Sequence, residues 1–195
     1  MKIVITEEQK KKLFIPRRQS GENSKWNQWN KEQPVKDGVR INQYDEDGLK
    51  TGIWEEYYPN GNLRSKGSYK EVNREGIWEY YHPNGNLRSK GSYKEGKKEG
   101  IWDNYHSNGN ILYRGSYKDS EKEGIWEYYY ENGNIWYRGS YVDGNREGIW
   151  EWYYSNGNIE SKGLFKDGKM DGIRVHYRDW ETDRKSTRLN SSHRL

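Results

Sequence analysis

The side chains here that could do chemistry are carboxylates, imidazoles and a large set of Trp and Tyr rings. Adjacent acids such as Glu55 and Glu56 could divide acid and base roles, and His82 and His106 could bind a metal ion. Both ideas meet the same objection. Catalytic constellations are singular, whereas the Glu55 position recurs as Glu79, Asp103, Glu127 and Glu151. His82 and His106 are also equivalent positions of a repeat, expected two strands apart. That is roughly 9–10 Å, too far to share one zinc ion at about 2.0–2.1 Å per ligand. They read as polar residues at turn edges, and His176 stands alone. The chain has no Cys, so it has no thiolate metal site, disulfide or cysteine nucleophile. No glycine-rich phosphate loop opens a helix, and no serine elbow or nucleophile–base pair is visible. The sequence predicts no enzyme activity, no cofactor and no metal.

The residues are organised by a repeat. Gly-Ile-Trp begins at Gly52, Gly76, Gly100, Gly124 and Gly148, with Gly-Ile-Arg at Gly172, every interval being 24 residues. Asn-Gly recurs in step from Asn60 to Asn156, and a further glycine recurs from Gly67 to Gly163. A period of this size means stacked supersecondary units. Within each unit two strand-like runs, such as Ile53–Tyr58 and Leu63–Tyr69, flank Asn-Gly, a strong hairpin signal when both turn residues take positive φ.

If Asn60 and Gly61 are those two residues, Tyr58 faces Leu63, Glu55 faces Lys66 and Trp54 faces Gly67. A six-residue link, Lys70–Glu75, then lets Tyr69 pair with Gly76 and Lys66 with Glu79. This register lays out a row of alternating charge: Glu55, Lys66, Glu79, Lys90, Asp103, Arg114, Glu127, Arg138, Glu151, Lys162. The neighbouring row, on the opposite face, alternates Trp and Gly from Trp54 to Gly163. Opposed charges stabilise a sheet by about 0.2–1 kcal/mol each, and an indole can cover the glycine beside it. A one-residue slip destroys both rows. The Trp face, with the Leu63- and Tyr69-type side chains, is the expected buried side, over which the sheet must curl. The other face carries the charges with the Ile53 and Tyr57 positions.

Composition agrees. Ile, Leu, Val and Phe supply only 29 of 195 residues and alanine is absent, while there are 10 Trp and 18 Tyr. That excludes a helical bundle or Rossmann-type core, and the aromatics argue against disorder. No apolar run approaches the roughly 18–20 residues of a membrane span. Of the net charge of +4, a net +3 falls within residues 183–195. Residues 183–193, DRKSTRLNSSH, resemble the translation of a sequencing adapter, so 179–195 are expected to be a non-native tail. Without that excess, neither nucleic acid nor an anionic membrane is an expected partner.

The expected fold is all-β: tandem 24-residue β-hairpin repeats forming an elongated, twisted antiparallel meander, with a short N-terminal helix. Residues 1–18 form a short helical segment, from the capping-box pattern Thr6–Gln9 and a helix over Glu7–Phe14. Residues 19–38 form a polar linker, in which Trp26 and Trp29 offer a means of docking, and 39–51 a capping half-repeat. Residues 52–178 hold five full repeats and a truncated sixth. Met1–Arg18 lacks the apolar stretch of a signal peptide, which reads as cytoplasmic.

The pattern of Gly76–Tyr93, G-I-W-E-x-Y-Y-x-N-G-N-L-x-x-x-G-x-Y, resembles the variant class of MORN repeats, a class that includes the YwqK-like group of antitoxin components. The resemblance spans about 52–178. It implies tandem β-hairpins and non-catalytic binding, with neutralisation of a partner toxin as one role. It carries over no individual functional residue, because the matching positions are the structural ones.

Departures from the repeat consensus mark candidate function. The later repeats gain Tyr113, Tyr128, Trp136, Tyr137 and Trp152, and the register sets Trp136 on the charged face between Tyr129 and Tyr153. Tyr113, Tyr129, Trp136, Tyr137, Trp152 and Tyr153 are therefore the candidate partner-binding residues, since Trp and Tyr dominate interaction hot spots. The competing reading is that the sheet buries them. A protein-binding scaffold, such as an antitoxin or immunity protein, is the leading function. A carbohydrate or cell-wall binding array and a phage or surface structural protein are the alternatives.

Overall fold

With so few aliphatic side chains, the chain must build its interior from aromatic rings, and broad rings pack best against a pleated surface. The computed structural model describes residues 30–177, and their regular structure is nearly all antiparallel strand. The proposed helix at Glu7–Phe14, the two tryptophans Trp26 and Trp29, and the tail lie outside those residues. In chain order the strands are β1 (Val35–Lys36), β2 (Val39–Arg40), β3 (Gln43–Tyr44), β4 (Lys50–Tyr57), β5 (Leu63–Lys70), β6 (Asn73–Tyr81), β7 (Leu87–Lys94) and β8 (Lys97–Tyr105). They continue as β9 (Ile111–Lys118), β10 (Glu121–Tyr129), β11 (Ile135–Val142), β12 (Asn145–Tyr153), β13 (Ile159–Lys166), β14 (Lys169–Met170) and β15 (Val175–His176). The chain divides into two units, residues 1–99 and 100–195. In each, every long strand pairs with the next in sequence, a meander with no crossover.

The central register is as the charge pattern requires: Trp54 pairs with Gly67, Glu55 with Lys66, and Lys66 with Glu79. Both connections differ from the sequence expectation. At Asn60-Gly61 only the glycine has positive φ, at 85°. Gly61 N–H donates to Tyr58 O at 2.9 Å and Tyr58 N–H to Asn62 O at 2.8 Å, which defines a three-residue loop, not a two-residue one. The extra loop residue is absorbed by a bulge at Arg64, so Leu63 pairs with Tyr57 instead of Tyr58. Leu63 therefore sits with Tyr57 on the charged face, and its equivalents Leu87, Ile111, Ile135 and Ile159 pair in the same way.

The predicted six-residue link is a two-residue turn. Glu71 and Val72 both have positive φ, at 48° and 66°, and Tyr69 pairs with Arg74, not Gly76. The same turn occurs as Asp143-Gly144 and Asp167-Gly168, dipeptides suited to positive φ at both central positions. To recover the inner register, β6 carries two extra residues opposite Gly67. Gly76 supplies this bulge with a φ of 67°, and Ile77 is pushed outward, 61% exposed.

The bulge drops the next residue, Trp78, flat onto the preceding strand. A Cβ on Gly67 would lie 2.2 Å from Trp78 Cδ2, and one on Gly115 would lie 2.2 Å from Trp126 Cδ2. Each indole is then walled in by its own face. Around Trp126, Tyr117 and Tyr141 stand edge-on at 5.0 and 5.9 Å, Tyr113 and Tyr128 lie alongside at 5.9 and 6.1 Å, and Lys122 Nζ is 4.3 Å from the ring centroid. Trp126 and Trp150 are fully buried by such neighbours, which supply the covering that sequence reasoning assigned to curling of the sheet. The indole N–H of Trp78 and Trp126 is satisfied by Ser68 O and Ser116 O, both at 3.1 Å.

Residues 30–38, read from sequence as the end of a linker, are folded onto the first repeat. The Asn30 side chain exchanges two hydrogen bonds with the backbone of Tyr44, and Lys36 Nζ lies 2.7 Å from Glu55 Oε1. Unpaired edges invite association with other chains, and these contacts cover part of one. At the other end Arg174 takes the Trp position, its Cγ 3.8 Å from a Cβ built on Gly163 and its guanidinium 4.1 Å from the Trp152 ring centroid.

Two stability outcomes follow from this geometry. Gly115→Ala must displace Trp126 and is expected to cost about 3 kcal/mol by urea denaturation, since overpacking a tight site costs about 1–3 kcal/mol and sometimes more. Val72→Gly removes a β-branched residue from the left-handed region and is expected to stabilise by about 1 kcal/mol.

Candidate functional site

The charged face is assembled from alternate residues of the strands, and its groups answer one another. Lys66 and Lys90 reach Glu79 at 2.8 and 3.0 Å, Arg114 pairs with both oxygens of Asp103, and Arg138 and Lys162 reach Glu151 at 2.8 and 2.7 Å. A tyrosine two residues on lies on the same face and donates to the same acid. Tyr81 bonds Glu79, Tyr129 bonds Glu127 and Tyr153 bonds Glu151, each at 2.7 Å, and Tyr57 bonds Glu55. Burial opposes ionisation of Glu79, but hydrogen bonds from Lys66, Tyr81 and Lys90 outweigh it and hold the carboxyl at about 2. Hydrogen bonds from Lys162 and Tyr153, opposed by burial and joined by Arg138, hold Glu151 at about 2. Burial, then the bond to the neighbouring acid, lifts Tyr57, Tyr129 and Tyr153 to about 12. Such acids are locked as ions and such phenols as donors, an arrangement suited to holding strands together and unsuited to moving protons.

The opposite face differs between the two units. The row running through Glu56 continues across β4–β7 as Ser65, Tyr80 and Ser89, mostly polar. In residues 100–177 the equivalent row pairs Asn104 with Tyr113, Tyr113 with Tyr128, Tyr128 with Tyr137, and Tyr137 with Trp152. Tyr113 and Tyr128 have centroids 5.6 Å apart, and Tyr128 and Tyr137 stack at 4.2 Å with 17° between planes. These four rings are half-buried against the cluster of Trp126, Tyr141, Trp150 and Phe165. Burial raises the hydroxyls of Tyr128 and Tyr137.

The six candidate residues thus fall into two sets. Tyr113, Tyr137 and Trp152 share this row, with Trp136 beside it, whereas Tyr129 and Tyr153 belong to the charge ladder on the other face. Trp136 does not lie between Tyr129 and Tyr153. It occupies the bulge of β11, 46% exposed, and its ring neighbours are Tyr130 at 5.8 Å and Tyr137 at 4.9 Å. The bulge, which the assumed turn did not contain, is the reason. Two participants escaped sequence reasoning: Lys122 and Arg146, whose charges lie 4.3 and 4.5 Å from the ring centroids of Trp126 and Trp150. Their signal was present as a basic residue two positions before each Gly-Ile-Trp glycine: Lys50, Arg74, Lys98, Lys122 and Arg146.

Among the described residues no cluster of three His, Asp or Glu side chains could hold a metal ion, and no helix is long and apolar enough to cross a membrane. His106 is half-buried, with Nδ1 3.9 Å from Glu131.

A meander of near-identical hairpins, with a structural ladder on one face and a specialised aromatic row on the other, defines a tandem β-hairpin repeat protein. The chain belongs to the MORN repeat variant family, whose model matches residues 50–71, 74–95, 98–119, 122–143 and 146–167. Repeats of this family are generally non-enzymatic. No curated protein matches the chain. Among solved structures, one of S. aureus TarM, a mutant in complex with fondaparinux, alpha-GlcNAc-glycerol and UDP, aligns at 15% identity with a TM-score of 0.33, covering 49% of this chain and 19% of that one. A second TarM structure aligns at 16% identity and a TM-score of 0.33, over 53% of this chain and 20% of that one. The alignment thus spans about a fifth of either TarM chain.

The ladder sets the pH range of the fold. Glu79 and Glu151 fall from 4.5 to about 2 on folding, so their contribution is complete above 4.5 and is lost as pH drops toward 2. Tyr57, Tyr129 and Tyr153 rise from 10.0 to about 12, so theirs is complete below 10 and is lost as pH climbs toward 12. Urea midpoints measured across pH are expected to be flat from about pH 5 to 9 and to fall on both sides.

Proposed function

We propose that this chain is a non-catalytic repeat scaffold that binds a protein partner through the aromatic row of residues 100–177, and that it serves as an antitoxin holding a cytoplasmic toxin inactive. The observation that carries the binding surface is the asymmetry between the units. Both build the same strands, the same ladder and the same Trp-on-Gly contact. Only the second replaces Ser65 and Ser89 by Tyr113 and Tyr137, adds Trp152 at the position of Glu56 and Tyr80, and sets the exposed Trp136 where the first has Arg64 and Arg88. The strands of the first unit pair in the same register with serine at both Ser65 and Ser89, so the fold does not demand rings there. Broad, rigid aromatic side chains contribute contact area at little entropic cost, which is why they anchor protein interfaces. The antitoxin role rests on the resemblance of the repeat to antitoxin components.

The test uses the full chain as bait in a lysate of source type, beside a variant carrying the first unit's own residues, Trp136→Arg with Tyr137→Ser. A stoichiometric protein is expected on the wild type, with binding weakened by about 1–3 kcal/mol in the variant at a temperature where circular dichroism shows it folded. If the protein so captured arrests growth and co-expression of this chain relieves the arrest, the antitoxin role holds. Unchanged affinity in the variant removes the proposed surface.

A further inference from the structure

A net charge of +4 conceals how charge is shared between the faces of the second unit. The ladder acids Asp103, Glu127 and Glu151 are on one face, answered there by arginines, Lys162 and tyrosines. On the aromatic face the recurring cations Lys122 and Arg146 lie over rings, and neither pairs with a carboxylate among the described residues. In the first unit the equivalent Lys50 has Glu56 Oε1 at 3.8 Å. The Glu56 position becomes Tyr80 in the first unit, where Arg74 lies over Trp78 and Tyr80, and Asn104, Tyr128 and Trp152 in the second. A ring at the Glu56 position therefore removes the counter-charge, and the second unit does this at two cations, Lys122 and Arg146. Arg174, at the end of the row, keeps one in Glu160 at 3.7 Å.

We propose that this face receives an acidic segment of the protein partner, with Lys122 and Arg146 meeting its carboxylates while Tyr137, Trp136 and Trp152 take the apolar side chains between them. The proposal rests on the reading of this face as the partner surface. Lys122 Nζ spends one of its three donors on Tyr128 Oη, at 2.7 Å, and keeps two. The ring beneath each cation already excludes water from one side, so a carboxylate arriving from the other meets a partly desolvated charge, where attraction is stronger than in bulk water. Lys122 and Arg146 stand two strands apart, roughly 10 Å, with aromatic surface between. Two cations are few for a polyphosphate or sulfated chain, whose binding grows with each charge neutralised. A mixed acidic and apolar peptide matches the surface better.

The probe is a random glutamate–tyrosine copolymer, titrated into the full chain and followed by tryptophan fluorescence, beside a lysine–tyrosine copolymer, heparin and oligo(dT). The glutamate–tyrosine copolymer is expected to bind, to weaken as salt is raised, and to bind about tenfold more weakly to Lys122→Gln with Arg146→Gln. The charge-preserving pair, Lys122→Arg with Arg146→Lys, restores binding and controls for loss of packing over the rings. No binding of the acidic copolymer, tighter binding of heparin or oligo(dT), or an unaffected Gln variant each overturns the proposal. The two readings separate cleanly with the captured partner. If capture survives the Gln pair and is lost in Trp136→Arg with Tyr137→Ser, the surface stands and the acidic assignment falls. If it survives both, the surface itself is wrong.

Discussion

The contact of an indole lying flat on a strand glycine organises everything else in this protein. A chain this poor in aliphatic residues has few other ways to bury apolar area, and one tryptophan contributes about 150–250 Å². At about 25 cal/mol per Å² that is roughly 4–6 kcal/mol gross for each repeat before conformational entropy is subtracted. The contact is possible only where the strand beneath has no Cβ, which explains the glycine at Gly67 and its equivalents. It also needs the indole lowered onto the sheet, which explains the bulge opened by Gly76 and the exposure of Ile77.

Because the ring is enclosed by neighbours in its own face, the repeat needs no second layer over it, and the two faces can be given different work. One face is a closed electrostatic system of acids, bases and phenols. Surface ion pairs contribute little singly, but here Glu79 and Glu151 each have three donors, which makes the ladder a device for register as much as for stability. The other face has its lower layer committed to burying Trp while its upper layer is free to vary. The second unit uses that freedom to carry Tyr128, Tyr137 and Trp136, beside Lys122 over Trp126 and Tyr128 and Arg146 over Trp150.

The turns add a second kind of cohesion. Asn60 and Asn62 both donate to Pro83 O at 2.8 Å, and Asn132 and Asn134 both donate to Ser155 O at 2.8 Å, so these two Asn-Gly-Asn loops are stitched to the loop of the next hairpin. Tyr58 and Tyr130 reach the backbone oxygens of Tyr81 and Tyr153 in the same direction. The first asparagine of each loop, whose own φ is not positive, also accepts the N–H of the asparagine two residues on, as Asn60 Oδ1 does from Asn62, which is a local reason for its recurrence.

The 24-residue period, the hairpin meander, the Trp–Gly row and the charge ladder are all legible in the sequence alone. Each is a pairing constraint that repeats, and a wrong register breaks many copies at once. What sequence could not reach was local and compensating. A three-residue loop with a bulge at Arg64 gives the same inner register as a two-residue loop without one, so the pairing of Glu55 with Lys66 cannot distinguish them. The difference turns Leu63 and Trp136 toward other neighbours. Tertiary structure alone decided that Tyr129 and Tyr153 serve the ladder while Tyr113, Tyr137 and Trp152 line the other face. It also decided that Lys122 and Arg146 lie over the rings without a counter-charge, because side chains distant in sequence meet only once the bulges have set which way each one points.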